Sequence, residues 1–112
     1  MTMNWLISFN TKVDGVETDR HLILQGPSLD IAERAVRFMG NTWWPGQGRE
    51  DGGHWWCFEQ GEVWFSAIVL LDDVEFSVLR GLKFLNLWHA HETPAGVTAR
   101  DEFGYSWSNY SR

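Results

Sequence analysis

The dipeptide Asp14-Gly15 constrains this chain more than any other feature. Asp and Gly both tolerate the positive φ of a two-residue hairpin turn, and such turns match the twist of the strands they join. Pairing outward sets Val13 against Val16, Thr11 against Thr18, Phe9 against Arg20, Ile7 against Leu22 and Trp5 against Leu24. The alternate pairs are Lys12–Glu17, Asn10–Asp19, Ser8–His21, Leu6–Ile23 and Asn4–Gln25. One register therefore yields an apolar face, a mostly wet face and opposite charges directly across at Lys12–Glu17.

Gly26-Pro27 ends the second strand, and Ser28 is placed to cap a helix. From Leu29 to Met39 the period is helical, with Ile31, Ala35, Phe38 and Met39 on one stripe. Asp30–Arg34 and Glu33–Arg37 are expected to pair at i,i+4 on the opposite face, and Gly40 reads as the stop. Asn41 to Gly53 reads as a long Gly-rich loop around Trp43-Trp44, a length that favours a functional element. A second hairpin is expected from His54 to Leu71, turning near Gln60-Gly61. Its alternation puts Trp56, Phe58, Val63, Phe65, Ala67, Val69 and Leu71 on one face, and Trp55, Cys57, Trp64, Ser66 and Ile68 on the other. Both faces are apolar, which suits the middle of a sheet.

Val74, Val78 and Leu82 have helical spacing, while Val74, Phe76 and Val78 also alternate as a strand would. A short helix ending near Gly81, capped by Asp72 or Asp73, is the favoured reading. Leu82 to His91 alternates as a strand, Thr93-Pro94-Ala95-Gly96 is a turn, and Phe103, Tyr105 and Trp107 share a face of a last strand. The 112 residues suit one domain. The order ββα-ββ(α)-ββ predicts an α+β fold of two layers, an antiparallel sheet of about five to six strands with one or two helices on one face.

The chain carries a net charge of −6, and its lysines are Lys12 and Lys83 alone. Arg34 and Arg37 are close together but sit beside Asp30 and Glu33. Affinity for a phosphate backbone comes from clustered cations, so direct nucleic-acid binding is not expected. An acidic surface suits basic partners, including proteins that themselves bind nucleic acid. Cys57 is the single cysteine, which excludes an internal disulfide and a cysteine zinc site. The opening residues do not read as a signal peptide. The apolar run Val63–Leu71 is strand length, short of the roughly 20 residues a membrane helix needs, so no membrane association and a reducing cytosol are expected.

His89-Ala90-His91-Glu92 is the most chemical-looking string. Residues two apart on a strand point the same way, so His89 and His91 are weak metal candidates, with Glu92, His21 or His54 to complete a site. They read first as ordinary strand histidines near a sheet edge, because no third ligand has a readable spacing. Cys57 could act as a nucleophile with His21 or His54 as base, yet a thiol between Trp56 and Phe58 reads first as a small hydrophobe. Glu59 and Glu62 could form a carboxylate pair for sugar chemistry, but they flank a tight turn where solvated charges are ordinary. Gly46-Gln47-Gly48 lacks the Lys-Ser/Thr continuation of a phosphate loop. No catalytic set and no cofactor follow from these residues, and a non-enzymatic protein is expected.

Eight tryptophans carry the remaining information. Trp5, Trp56 and Trp88 fall on faces a helix would cover, whereas Trp43, Trp44, Trp55, Trp64 and Trp107 do not. Acidic residues lie near the second group in sequence: Glu50 and Asp51, Glu59 and Glu62, then Asp72, Asp73 and Glu75. Aromatic anchors with an acidic rim suit a binder of a basic macromolecule, charge steering the encounter and Trp supplying residence time. The alternative is that the loop or the last strand folds over these rings. The expected binding set is Trp43, Trp44, Glu50, Asp51, Trp55, Glu59, Glu62, Trp64, Asp72, Asp73 and Glu75. Size, acidity and the lack of a catalytic set are similar in kind to small inhibitors such as immunity proteins, antitoxins and phage-encoded anti-CRISPR proteins. No family motif is matched and no residue is carried over. Mimicry of nucleic acid by the acidic clusters is a variant of this reading. A small-molecule or metal-binding domain built on His89, His91 and the Trp-lined face competes with it. A homodimer or larger assembly sealed by that face is a third.

Overall fold

The computed structural model describes residues 2–43, 47–48, 55–58, 61–82 and 85–102. The chain opens with β1 (Met3–Val13) and β2 (Val16–Gly26), paired in the register that Asp14-Gly15 dictates, Trp5 opposite Leu24 through Val13 opposite Val16. Asp14 at φ 53° and Gly15 at φ 80° are the two positive values such a turn requires. Next come α1 (Leu29–Trp43), the two-residue β3 (Gln47–Gly48), β4 (Trp55–Phe58), β5 (Gly61–Leu71) and α2 (Asp73–Arg80). A second tight hairpin, β6 (Leu87–Thr93) and β7 (Gly96–Asp101), completes the described chain. The seven strands form one sheet in the order β3-β4-β5-β1-β2-β6-β7.

The fold is α+β, with three departures from the expected architecture. The sheet is mixed rather than antiparallel, because β6 joins β2 in parallel through Ile23–Leu87, Leu24–Trp88 and Gln25–His89. The two helices lie on opposite faces rather than on one. α1 covers Trp5, Ile7 and Phe9, while Phe76 and Leu79 of α2 pack with Leu6, Ile23, Leu71, Leu85 and Leu87. Because side chains alternate along β1, Leu6 points away from Trp5 and Ile7. Finally, the sheet curls into a half-barrel around α1. β4 and β7 are five strand steps apart in the sheet order, about 24 Å at roughly 4.8 Å per step. One helix meets both, as a sheet curled around it allows.

Ser28 caps α1, its Oγ accepting from the Ile31 N–H at 3.2 Å. The helix does not stop at Gly40 but continues to Trp43, so the expected loop loses its first three residues to helix. Gly40 serves another purpose. A Cβ there would fall inside the indole of Trp56, which lies flush against the helix backbone. The same indole Nε1–H donates to Asn41 Oδ1 at 2.8 Å, anchoring the last turn of α1 to β4. Trp5, Trp56 and Trp88, at 2%, 1% and 2% exposed, are core residues as their positions predict.

β5 breaks the simple alternation expected of it. Against β1 the register runs Thr11–Val63 and Phe9–Phe65, then Ser8–Ala67, leaving Ser66 unopposed in a bulge. Ser66 Oγ donates to the Ser8 carbonyl at 3.1 Å, giving the extra residue a bond in place of its ladder partner. The side-chain phase shifts there. Val63 and Phe65 face α1, and so do Ile68 and Leu70, while Ala67, Val69 and Leu71 turn to the α2 side. β5 is an interior strand, but β4 lies next to the edge strand β3 rather than mid-sheet.

α2 is helical as favoured, and its N-terminus carries a reciprocal capping box. Asp72 Oδ1 accepts from the Glu75 N–H at 2.8 Å, and Glu75 Oε1 accepts from the Asp72 N–H at 2.9 Å. The stripe Val74, Val78 and Leu82 faces solvent, and the contacts to the sheet come from Phe76 and Leu79 instead. With no residue of this helix fully buried, the cap bears much of its stability. Asp72→Ala should lower global stability by about 1 kcal/mol, read as a lower urea midpoint at unchanged m-value. β6 starts at Leu87 rather than Leu82. The expected last strand around Phe103, Tyr105 and Trp107 lies outside the described residues.

Candidate functional site

Away from α1, the half of the sheet not reached by α2 presents three cross-strand rows. The outermost runs Cys57, Glu62, Lys12, Glu17 across β4, β5, β1 and β2. The next runs Trp55, Trp64, Asn10, Asp19. The third comprises Ala67, Ser8 and His21. Their polar members are what the wet face of the first hairpin promised. The aromatic pair comes from the second.

Trp55 and Trp64 are directly opposed and stack with ring centroids 4.9 Å apart and planes inclined by 12°. Trp64 keeps 38% of its surface exposed. Its Nε1–H donates to Glu62 Oε1 at 3.0 Å, so one carboxylate is drawn against the edge of the stack. Asn10 Nδ2 donates to Asp19 Oδ1 at 3.0 Å beside it. Stacking of this kind contributes about 0.5–1.5 kcal/mol beyond area burial, which fixes the rings before any partner arrives. Beside them, among the described residues, Glu17 and Glu62 flank the cation Lys12, and Asp19 lies in the same row as the rings.

Of the expected binding set, the structure brings Trp55, Trp64 and Glu62 together. Trp43 ends α1, and its side chain lies outside the description; Trp44, Glu50, Asp51 and Glu59 are outside the described residues altogether. Asp72, Asp73 and Glu75 are at the far end of β5, about 26 Å from Trp64 at roughly 3.3 Å per residue. Asp72 and Glu75 are engaged in capping α2, and Asp73 is exposed in its first turn. Sequence reading did not join Asn10, Lys12, Glu17 and Asp19 to the tryptophans. The missing signal was the β1–β5 pairing, which links segments some fifty residues apart and leaves no local trace.

Ser8 Oγ and His21 Nδ1 are 2.8 Å apart on this face, a cross-strand hydrogen bond whose donor depends on the imidazole tautomer. A nucleophile–base pair needs an acid to orient its histidine. The adjacent Asp19 is held by Asn10 instead. Cys57 is half-buried in the outer row.

His89 and His91 share a face of β6 and border a depression with Thr2, Gln25 and Pro27. Burial holds the His89 imidazole below its ordinary pKa, helped by the neighbouring His91 and by Arg80, against the opposing pull of Glu102 and Asp101. Among the described residues no three His, Cys, Asp or Glu side chains converge to hold a metal ion. Nor is any helix among them long and apolar enough to cross a membrane. No family model matches this chain, and no curated protein or solved structure matches it either.

Proposed function

We propose that this is a small acidic binding protein, without enzymatic activity of its own, that occupies and inhibits a basic macromolecular partner, most simply a nucleic-acid-binding protein in the cytosol. The observation that carries this reading is the Trp55–Trp64 stack, with Trp64 38% exposed on the sheet face away from α1 and the Glu62 carboxylate against its edge. Pre-stacked rings lose little conformational freedom on binding, and Trp is enriched among residues that dominate interface energy. Glu62, Asp19 and Glu17 supply the complementary charge that steers a basic partner to the rings.

Interaction partners captured from the source cell's lysate, then compared on variants, test the reading. Trp64→Ala should weaken the captured complex by about 2 kcal/mol or more, roughly thirtyfold in Kd, with the free protein still folded. Glu62→Gln should act mainly on the association rate and lose its effect in high salt. Retention of the complex at full affinity by both Trp55→Ala and Trp64→Ala would overturn the proposal. Mimicry of nucleic acid by the acidic end of α2 predicts instead that Asp73→Asn weakens binding. Asp73 is the clean probe there, since Asp72 and Glu75 hold the helix. Light scattering on the isolated protein reports whether the face is used by a second copy.

A further inference from the structure

On the opposite side of the sheet, α1 turns one stripe outward at the mouth of the half-barrel. Arg34, Arg37, Phe38 and Asn41 are spaced i, i+3, i+4, i+7, so they share a face of the helix. With Val97 of β7 they line a depression of about 380 Å³. That volume suits a small organic molecule rather than a lone ion.

The donors in this depression are incompletely used. Asp30 holds Arg34 in an i,i+4 ion pair at 3.0 Å, half in solvent. The matching Glu33–Arg37 pair expected from sequence does not form: among the described residues Arg37 has no ion pair. Its Nε is shielded from solvent and has no hydrogen-bond partner among those residues. An unpaired buried guanidinium nitrogen costs more than an exposed one, so the site gains from any acceptor that reaches it. Asn41 spends its carbonyl oxygen on Trp56 Nε1, which leaves its amide group as the donor available to the depression. Phe38 and Val97 supply apolar wall.

We infer that this depression binds a small organic anion. Arg37 and Arg34 would grip a carboxylate or phosphoryl oxygen pair, the Asn41 amide would donate a further bond, and an apolar or aromatic body would rest against Phe38 and Val97. Guanidinium matches both oxyanions through parallel N–H···O bonds. The attraction comes from these side chains against an unfavourable background, since the chain is net acidic and the site is near the C-terminal end of α1.

The test is NMR titration of the full chain with benzoate, phenyl phosphate and inorganic phosphate, following the Arg37 Nε–H, Asn41 side-chain amide and Val97 backbone signals. Saturable shifts with benzoate or phenyl phosphate at a Kd of about 1 mM or tighter are expected, with inorganic phosphate weaker because it leaves the apolar wall unused. Whichever organic probe binds more tightly identifies the oxyanion. Arg37→Gln should abolish saturation at Asn41 and Val97, Arg37→Lys should not restore it, and Arg34→Gln should weaken it several-fold, all in variants with unchanged amide spectra elsewhere. Absence of saturation by either organic probe below about 10 mM, or equal affinity in Arg37→Gln, would overturn the inference.

Discussion

Gly40→Ala should destabilise this protein by about 1–3 kcal/mol, although the same exchange inside an ordinary helix adds up to about 1 kcal/mol. The sign reverses because the missing side chain is replaced by an indole. A methyl group at position 40 would occupy the ring of Trp56, itself 1% exposed and fixed through its Nε1–H to Asn41. The ring cannot retreat without breaking that bond or leaving the core. Either Trp56 is expelled, or α1 lifts from the sheet. Gly40→Val should be worse, adding branched volume to the same place. Urea unfolding followed by far-UV circular dichroism gives the answer. Combining Gly40→Ala with Trp56→Phe should recover part of the loss, since neighbours that share one space are not additive. An increase in stability for Gly40→Ala alone would mean that Trp56 does not lie against the helix.

Deleting Ser66 should close the bulge and leave the fold standing. Ser66 is the one residue of β5 without a partner on β1, and without it Phe65 and Ala67 become consecutive while still opposite Phe9 and Ser8. Strict alternation then keeps Val63, Phe65, Ile68 and Leu70 on the α1 side and Ala67, Val69 and Leu71 on the other, now in an unbroken ladder. Deleting Val69 should do far more harm, because Leu70 and Leu71 would then exchange faces. Ser66→Ala is the contrasting control. It keeps the bulge and loses one hydrogen bond, to the Ser8 carbonyl, for about 1 kcal/mol. Loss of the cooperative thermal transition on deleting Ser66 would show that the bulge itself is required.

These two positions also show what the sequence conceals. The first hairpin was fully legible because turn chemistry, alternation and cross-strand charge agree within a short span, and every expected pair from Asn4–Gln25 to Val13–Val16 forms. α2 was legible for a similar reason, its aspartates lying just ahead of a helical period. Gly40 misled because glycine serves both as a helix terminator and as a point of close approach, and only the distant Trp56 distinguishes them. The bulge at Ser66 leaves no local sign, because Val, Phe, Ala, Ile and Leu around it read as core on either face. The parallel β2–β6 joint was hidden by the intervening chain, which gives no hint of which strands meet across it. At the candidate site the Trp55–Trp64 adjacency was readable from the second hairpin, but its polar surround comes from β1 and β2 and needed the sheet order.

That joint has a consequence for how the molecule is made. The contact Ile23–Leu87 spans 64 residues (87 − 23), and three residue pairs hold it. Closing a loop of this length costs about 4 kcal/mol in chain entropy, against almost nothing for the turn at Asp14-Gly15. The first hairpin and α1 can therefore assemble while the chain is still emerging from the ribosome, whereas β6 and β7 arrive last. Until they do, the outer edge of β2 has no strand beside it and the core lacks Trp88 and Ala99. The nascent protein passes through a stage with an open strand edge next to exposed leucine and isoleucine, the moment at which a neighbouring chain could add itself in place of β6.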